Sequence, residues 1–219
     1  MSIKNDSDGA EVIVTIMGRQ ESIRADRVVC TIPFSVLKNI DISPSLSTFK
    51  KEIIKGLYYT PTTRVFLEVK QRFWESNGEN GSAMTDLPIG QVQTHPIIKT
   101  GREGNSAILE SHARGEDALR LDKMSNDNRL KFTLEQMSKV HPDISNYYVG
   151  GISKSWQLDP FSLGAHSLFL PGQITSWLPE IIRPEGRIHF AGEHTSIYSA
   201  SMEGAIESGV RASKEINEA

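Results

Sequence analysis

Residue types that can do chemistry gather near the carboxyl end of the chain. The turn Gly192-Glu193 follows the short apolar run 188–191 and precedes a helical pattern that starts near Ser201. The first N–H groups of a helix have no partner inside it, and the helix dipole makes that end positive. Ser201 and Met202 are therefore expected to offer donors to a negatively charged ligand, while Glu193 could accept hydrogen bonds from hydroxyl groups. A glycine-rich turn between a strand and a helix is also an ordinary structural feature, and the pattern alone leaves both interpretations open.

The helix that begins there repeats small and apolar residues at helical spacing. These residues are Met202, Ala205, Ile206, Gly209, Ala212, Ser213 and Ile216. Several are small enough for a backbone or a flat ligand to approach closely.

The other reactive residue types point away from metal and nucleophile chemistry. Six histidines are present, and His189 and His194 lie five apart across a strand and a turn, so no pair has helical metal-ligand spacing. Packing or surface roles are favoured for them. Neither a G-x-S-x-G nucleophile elbow nor a phosphate-binding loop occurs, which leaves hydrolase and kinase functions without support. The single cysteine, Cys30, lies in an apolar run, excludes an internal disulfide and favours a reducing cytoplasm.

Arg64 lies in a run with the two-residue period of a strand. Between residues 62 and 70, apolar positions such as Val65 and Leu67 alternate with Arg64, Phe66 and Glu68. Arg64 is a candidate for chemistry, and an ordinary strand arginine paired with a carboxylate is the alternative.

The elements that would position these residues are both helices and strands. Strands are predicted at 12–17 and 23–32, joined through Gly18, and at 62–70, 147–156 and 167–170. Helices are predicted from an N-cap at Ser47 to residue 55, at 116–121 and 127–141, and, interrupted by Pro179, at 173–182. The chain is 38% hydrophobic and 23% charged, which is enough apolar material for a folded core. Its net charge of −3 gives no reason to expect nucleic acid, and neither a signal peptide nor a membrane span is predicted.

One long stretch resembles a known family. The sequence Gly-Arg-Ile-His-Phe-Ala-Gly-Glu-His-Thr-Ser at 186–196, followed by Met-Glu-Gly-Ala-Ile-Glu-Ser-Gly at 202–209, closely resembles the C-terminal flavin motif of monoamine oxidases and L-amino-acid oxidases. Matching segments occur in the same order at 25–33, 64–67, 73–74, 85–88 and 155–156. Thr85-Asp86-Leu87-Pro88 is more similar to amino-acid oxidases than to monoamine oxidases.

The resemblance implies an α+β fold that enters the family pattern partway. Residues 1–34 would be strands linking to the FAD domain, 35–184 a mixed-sheet substrate-binding domain with flanking helices, and 185–219 the last strand, turn and helix of a Rossmann-like FAD-binding domain. The N-terminal part of that domain, with its Gly-x-Gly-x-x-Gly turn, is missing from these 219 residues.

The resemblance also implies the chemistry, which is hydride transfer from a substrate C–H to flavin N5 followed by reoxidation by oxygen. Glu193 would contact the pyrophosphate or ribityl region, and the Met202 N–H would lie near flavin O2. The implied cofactor-binding residues are Trp156, Gly192, Glu193, Ala200, Ser201, Met202, Glu203, Gly204 and Ala205. Ala165 replaces the cysteine that some monoamine oxidases join to flavin, so the FAD would be noncovalent.

The substrate side departs from the family pattern. Arg64, the candidate catalytic residue, replaces a lysine that binds a water beside the flavin, and an arginine cannot exchange protons as lysine does. His112 replaces a tyrosine that binds the substrate carboxylate, while His166 and Ser201 replace the aromatic cage of monoamine oxidases. Ala200 replaces a glycine. These four positions, His112, His166, Ala200 and Ser201, are the candidate substrate contacts.

We therefore predict the C-terminal half of an FAD-dependent amine or L-amino-acid oxidase that is inactive alone. A nucleotide-binding half on another chain would be its partner, the substrate would be a small amine or amino acid, and self-association is expected through apolar surface left exposed. The alternative is a noncatalytic remnant or binding module with the same fold.

Overall fold

The computed structural model describes residues 1–96 and 105–218 and shows a mixed α+β protein with several sheets. The chain forms two compact units. The first contains Met1–Tyr59 with Pro160–Ala219, and the second contains Thr60–Asp159. None of the described helices combines the length and apolar character needed to cross a membrane.

The first unit is built around a small four-stranded sheet and three longer helices. Its elements are β1 (Ser2–Asn5), β2 (Ala10–Ile16), β3 (Arg19–Ala25), β4 (Val28–Cys30), α1 (Phe34–Leu37), β5 (Asp41–Ser43), α2 (Thr48–Gly56), β6 (Tyr58–Tyr59), β12 (Ser167–Leu168), α6 (Gln173–Ile182), β13 (Ile188–Phe190) and α7 (Met202–Asn217). The sheet order is β3-β2-β1-β5, and two further pairs, β13-β4 and β12-β6, stand apart from it.

The predicted strand at 23–32 is two strands in different sheets. β3 pairs antiparallel with β2 as far as Ala25, and the turn between them contains Gly18 with φ of 78°. β4 instead pairs parallel with β13, where the Val28 N–H donates to the Arg187 carbonyl at 2.9 Å. The partner of β4 lies near the other end of the chain, so the local pattern could not show the break.

Two helices of this unit are tied to each other by buried polar contacts. The Ser47 hydroxyl accepts a hydrogen bond from the Lys50 N–H, which confirms the predicted N-cap of α2. The ammonium of Lys50 is buried and donates to the carbonyls of Ile181 and Arg183 at the end of α6. This contact satisfies carbonyls that a helix leaves unpaired, and α6 runs continuously through Pro179.

The second unit is a five-stranded antiparallel sheet with helices on one face. Its elements are β7 (Thr62–Val69), β8 (Ala83–Met84), β9 (Gln91–Pro96), β10 (Ala107–Arg114), α3 (Gly115–Asp122), α4 (Asn126–Met137), α5 (Ile144–Tyr147) and β11 (Tyr148–Ser155). The strand order is β11-β7-β10-β9-β8. Val65, Leu67 and Leu109 are fully buried in a core that includes Met137 of α4. Because side chains alternate along a strand, Arg64 and His112 lie on the opposite face of the sheet.

The two compact units differ in extent from the predicted divisions at 34/35 and 184/185. The segments 35–59 and 160–184 belong to the first unit, where Phe34, Ile53, Tyr59 and Ile181 share one hydrophobic core. Which part of the chain binds substrate stays a prediction.

Candidate functional site

The predicted strand, turn and helix near the carboxyl end are present in the first unit. β13 is fully buried, and the chain then turns at Gly192, whose φ is 120°. A Cβ on Gly192 would lie 2.6 Å from the imidazole of His194, so a side chain does not fit there. The Gly192 N–H donates to the Ser208 hydroxyl of α7 at 2.8 Å, which joins the turn to the helix.

The Glu193 carboxylate holds two separate segments of this unit. Its Oε1 accepts from the Ser167 N–H at 2.9 Å, and its Oε2 accepts from the Ser167 hydroxyl at 2.8 Å and the Ala200 N–H at 2.7 Å. Two carboxylate oxygens offer about four acceptor positions. Most acceptor positions of Glu193 are therefore used to position the segment before α7, a role that the sequence did not indicate. Direct contact between Glu193 and a cofactor hydroxyl stays a prediction.

Ala200 has the left-handed conformation that glycine adopts most easily. Its φ is 61°, and such a conformation costs a non-glycine residue roughly 1–2 kcal/mol. The hydrogen bond from its N–H to Glu193 holds it there. The resemblance had already marked this position as one where relatives carry glycine.

The N-terminus of α7 is exposed and only partly capped. The Ser201 hydroxyl accepts from the Gly204 N–H at 3.0 Å, whereas the N–H groups of Met202 and Glu203 make no hydrogen bond within residues 1–96 and 105–218. Met202 is 86% exposed, and Ala205 is exposed too. A Cβ on Gly204 would lie 2.2 Å from the Tyr198 carbonyl, so glycine allows the chain to pass closely. Two donors and a positive helix end thus face outward together.

His194 is a buried polar residue with an unsatisfied atom. Its ring centroid lies 4.6 Å from that of Phe34, and its Nε2 has no hydrogen-bond partner among the described residues. Burial lowers the pKa of His194 below its usual value, against the opposing effect of Glu193, so the ring is neutral at pH 7. An unsatisfied buried nitrogen in the turn that precedes α7 is an atom that a bound polar group could complete.

The first unit also contains His166, which the sequence analysis placed at the substrate. Its Nδ1 lies 3.1 Å from the Ser167 carbonyl, and the side chain is half-buried. His166 is thus next to the serine that binds Glu193. The neighbouring Ala165 is exposed.

Arg64 of the second unit pairs with a buried carboxylate. Its Nη1 lies 2.8 Å from Glu110 Oε1 in an ion pair without hydrogen-bond geometry, and its side chain is 36% exposed. The other oxygen of Glu110 lies 2.7 Å from His95 Nε2. The carboxylate pairing raised as the alternative for Arg64 is therefore present. The sequence analysis missed Glu110, although a charged residue in the run Ile108-Leu109-Glu110 was a usable signal.

His112 is the direct cross-strand neighbour of Arg64 and lines a cavity. The Nε–H of Arg114 points to His112 Nε2 at 3.3 Å. The cavity has a volume of about 290 Å³ and polar and apolar walls; its lining comprises Met84, Thr85, Asp86, Leu87, Gly90, Gln91, His112, Arg114 and Asp117. Part of the Thr-Asp-Leu-Pro segment thus lies at the same cavity as His112.

Trp156 follows β11 in the second unit and is half-buried. Its backbone N–H donates to the Thr62 carbonyl at 3.0 Å, and the Lys154 ammonium lies 5.2 Å from the centroid of its indole ring. The structure therefore collects Gly192, Glu193 and the 200–205 segment in the first unit. It places Arg64, His112 and Trp156 in the second.

Sequence comparison identifies relatives of about twice the length. YobN of Bacillus subtilis (strain 168), provisionally named an L-amino-acid oxidase, is 41% identical over 90% of this chain and 42% of its own length. The L-amino-acid oxidase of Siganus canaliculatus is 33% identical over 98% of this chain and 42% of its own length. The flavin-dependent L-tryptophan oxidase RebO of Lentzea aerocolonigenes is 33% identical over 89% of this chain and 42% of its own length. The chain thus spans less than half the length of these relatives.

Structural comparison gives the fold, and the family model gives the family. Cyclohexylamine oxidase from Brevibacterium oxydans IH-35A superposes with a TM-score of 0.84 at 20% identity, over 99% of this chain and 47% of that one. Wild-type putrescine oxidase bound to putrescine superposes with a TM-score of 0.82 at 18% identity, over 100% of this chain and 48% of that one. The model for flavin-containing amine oxidoreductases matches residues 1–217. The chain therefore belongs to the flavin-containing amine oxidoreductase family.

Proposed function

We propose that this chain is the C-terminal half of an FAD-dependent amine or L-amino-acid oxidase and that it is inactive until a nucleotide-binding half joins it. The observation that carries the proposal is the family match over 1–217 in a chain that spans only 42% of its relatives' length. A Gly-x-Gly-x-x-Gly turn does not occur in the 219 residues. On this proposal most contacts to the FAD diphosphate come from the partner.

The N-terminus of α7 is the proposed contribution to the cofactor site. The Met202 and Glu203 N–H groups would donate to an anionic part of FAD, bound noncovalently, and Glu193 would keep the segment before them in place. The flavin would supply the hydride acceptor at N5 and the reaction with oxygen. The small residues Ala200, Ser201 and Ala205 would let a flat ring approach the backbone.

The second unit is the proposed substrate side. His112 would donate or accept a hydrogen bond at the cavity, and Trp156 would border the flavin ring. Arg64 would act as a fixed charge, because its guanidinium stays protonated and is balanced by Glu110. Substrate binding by His166, Ala200 and Ser201 is part of the same proposal, as is a cytoplasmic location.

The proposed docking surface for the missing half is the outer face of α7, defined here by Met202, Ile206 and Val210. These side chains are 86%, 63% and 52% exposed, whereas the inner face of the helix packs through Gly204, Ser208 and Ala212. Three large apolar residues in a row on one helix favour a surface that another protein covers.

The test is an FAD titration followed by flavin fluorescence and absorbance, with the purified chain alone and with the part of the Bacillus subtilis relative that this chain does not match, as the partner half. We expect no binding alone, binding with the partner half, and bleaching on addition of an L-amino acid or amine. Binding and turnover by the chain alone would refute the half-enzyme proposal. Absence of binding in both conditions would favour the noncatalytic remnant, which the altered residues His166 and Ser201 also suggest.

Met202→Pro tests the helix donors in the same titration. Proline is well tolerated at the first helical position and removes only the N–H group there, since Ser201 already has the extended conformation proline requires. We expect weaker FAD binding for Met202→Pro than for the matched Met202→Ala, which keeps the N–H. Equal affinities would exclude this donor from the site.

A further inference from the structure

One carboxylate in the second unit holds the residues on both sides of Trp156. Asp122 is the last residue of α3, and its Oδ1 accepts a hydrogen bond from the Thr63 hydroxyl at 2.8 Å. Its Oδ2 accepts from the Ser155 hydroxyl at 2.9 Å and from the Gln157 side-chain amide. Ser155 and Gln157 are the immediate neighbours of Trp156, so the carboxylate grips the chain before and after the indole.

Gln157 extends the same grip to the beginning of β7. Its Oε1 accepts from the Thr62 N–H at 2.8 Å, and its Nε2 contacts the Thr63 hydroxyl at 3.2 Å. The Thr62 carbonyl in turn accepts a hydrogen bond from the backbone N–H of Trp156 at 3.0 Å. Each residue from 155 to 157 is therefore bonded, Ser155 and Gln157 through their side chains and Trp156 through its backbone N–H, which leaves little freedom for the Cα–Cβ direction of Trp156.

A buried arginine lies beside Asp122 and is itself held in place by hydrogen bonds. Arg129 lies 3.8 Å from Asp122 Oδ1, and its other N–H groups donate to the carbonyls of Leu121 and Met124 and to the Ser153 hydroxyl. The nearby guanidinium and the three hydrogen bonds that Asp122 accepts fix the position of its carboxylate, and through it the contacts to 155–157.

Ordinary structural needs do not account for all of these bonds. Strand β11 already pairs with β7 through Ser155, opposite Thr63, so the sheet is complete without the side-chain contacts. The additional bonds act on the segment after the strand, where Trp156 remains half-buried and the Lys154 ammonium, paired with Asp159, lies over its ring. A partly exposed aromatic ring on a rigid support is a suitable surface for a flat ligand.

We propose that Asp122 is a positioning residue that fixes the indole of Trp156 in the orientation needed to pack against the cofactor. The role in the reaction rests on the proposed function, whereas the control of Trp156 by Asp122 does not. Loss of the grip should leave the sheet folded and let the indole move. Because a displaced indole loses its packing against the flat cofactor ring, we expect the FAD affinity of the assembled protein to fall about twofold to tenfold.

The experiment compares Asp122→Asn with the wild-type chain by nuclear magnetic resonance of the three tryptophan indole N–H groups, with Trp156 assigned by Trp156→Phe. Asparagine has nearly the same size but replaces one acceptor oxygen by a donor. We expect the heteronuclear NOE of the Trp156 indole to fall and its position to shift, while Trp74 and Trp177 stay unchanged. Asp127→Asn, on an exposed helical position, is the matched control and should change none of them.

An unmoved Trp156 in a folded Asp122→Asn protein would overturn the proposal, and so would equal changes at all three indoles, which indicate a general structural role. Ser155→Ala removes a single arm of the grip and provides the same readout if Asp122→Asn does not fold. FAD titration with the partner half is then run on each variant. Absence of FAD binding by the wild type would refute the proposed function while leaving the Trp156 result intact.

Discussion

Arg64 and Glu110 form an ion pair in which one partner is buried and the other is partly exposed. Glu110 has a side chain only 2% exposed, whereas the Arg64 guanidinium reaches water at the sheet surface. An unpaired buried charge is strongly destabilising, while an exposed one can be hydrated. The two halves of this ion pair should therefore have unequal effects on stability.

We expect Arg64→Gln to lower the free energy of unfolding by about 3 kcal/mol, because it leaves the buried Glu110 carboxylate with His95 as its one remaining ion-pair partner among the described residues. Glu110→Gln should cost about 1 kcal/mol, since its amide can still bond and Arg64 turns to water. Urea unfolding measures both. Glu68→Gln, half-buried on the same face of β7, is the control and should stay within about 0.5 kcal/mol. A larger loss for Glu110→Gln than for Arg64→Gln would contradict the argument.

Helix α6 ends against the side chain of Lys50, and this contact makes the element sensitive to pH. Burial lowers the pKa of Lys50 from 10.5 to about 8, although nearby Glu185 acts in the opposite direction. The ammonium also lies 4.2 Å from the centroid of the Phe190 ring. The difference between 10.5 and about 8 corresponds to about 3 kcal/mol of destabilisation at neutral pH relative to an unburied lysine.

Between pH 8 and 10.5 the unfolded chain binds more protons at Lys50 than the folded chain does, so this residue makes stability rise with pH. We expect the wild-type free energy of unfolding to rise relative to that of Lys50→Met over this range, and the difference to be constant below about pH 7. Chemical unfolding at several pH values provides the measurement. Lys55 is exposed on α2, the helix that carries Lys50, and the free energy of unfolding of Lys55→Met should follow a pH curve parallel to that of the wild type. Parallel curves for Lys50→Met would show that Lys50 does not titrate there.

The molecule as a whole presents the outer face of α7 to solvent. Met202, Ile206 and Val210 form an apolar row on the element that also carries the proposed cofactor donors. If no partner half is present, this row should associate with another copy of the chain.

Sedimentation velocity of the purified chain should show association that increases with concentration and is weakened by Ile206→Lys. Asn217→Lys adds the same charge near the end of the helix and should leave association unchanged. The Ile206→Lys variant should also bind the nucleotide-binding half less tightly. A monodisperse wild-type monomer at high concentration would count against an exposed docking surface.

Local patterns in the sequence accounted for β7, β11 and the helices α2, α3, α4 and α7, whereas β9 and β10 were not predicted. Ser47 caps α2 because its hydroxyl needs only the N–H three residues on, and the alternation at 62–70 marks β7 because one face of that strand is buried. The break between β3 and β4 was not visible, since β4 is defined by its pairing with β13. Pro179 suggested an interruption, yet α6 continues through it and ends where Lys50 donates to the carbonyls of Ile181 and Arg183.

The sequence by itself determined the family and the strand, turn and helix at 188–217. These elements lie in one continuous stretch, and positions such as Gly192 and Gly204 have no room for a side chain, so the residue types there indicate the local structure. Tertiary structure alone decided that Arg64 meets Glu110, that Glu193 binds Ser167, and that Asp122 holds the neighbours of Trp156. Each of these contacts joins residues far apart in the chain. Such pairs leave no periodic pattern in the sequence, and only the folded backbone brings a donor within hydrogen-bond distance of its acceptor.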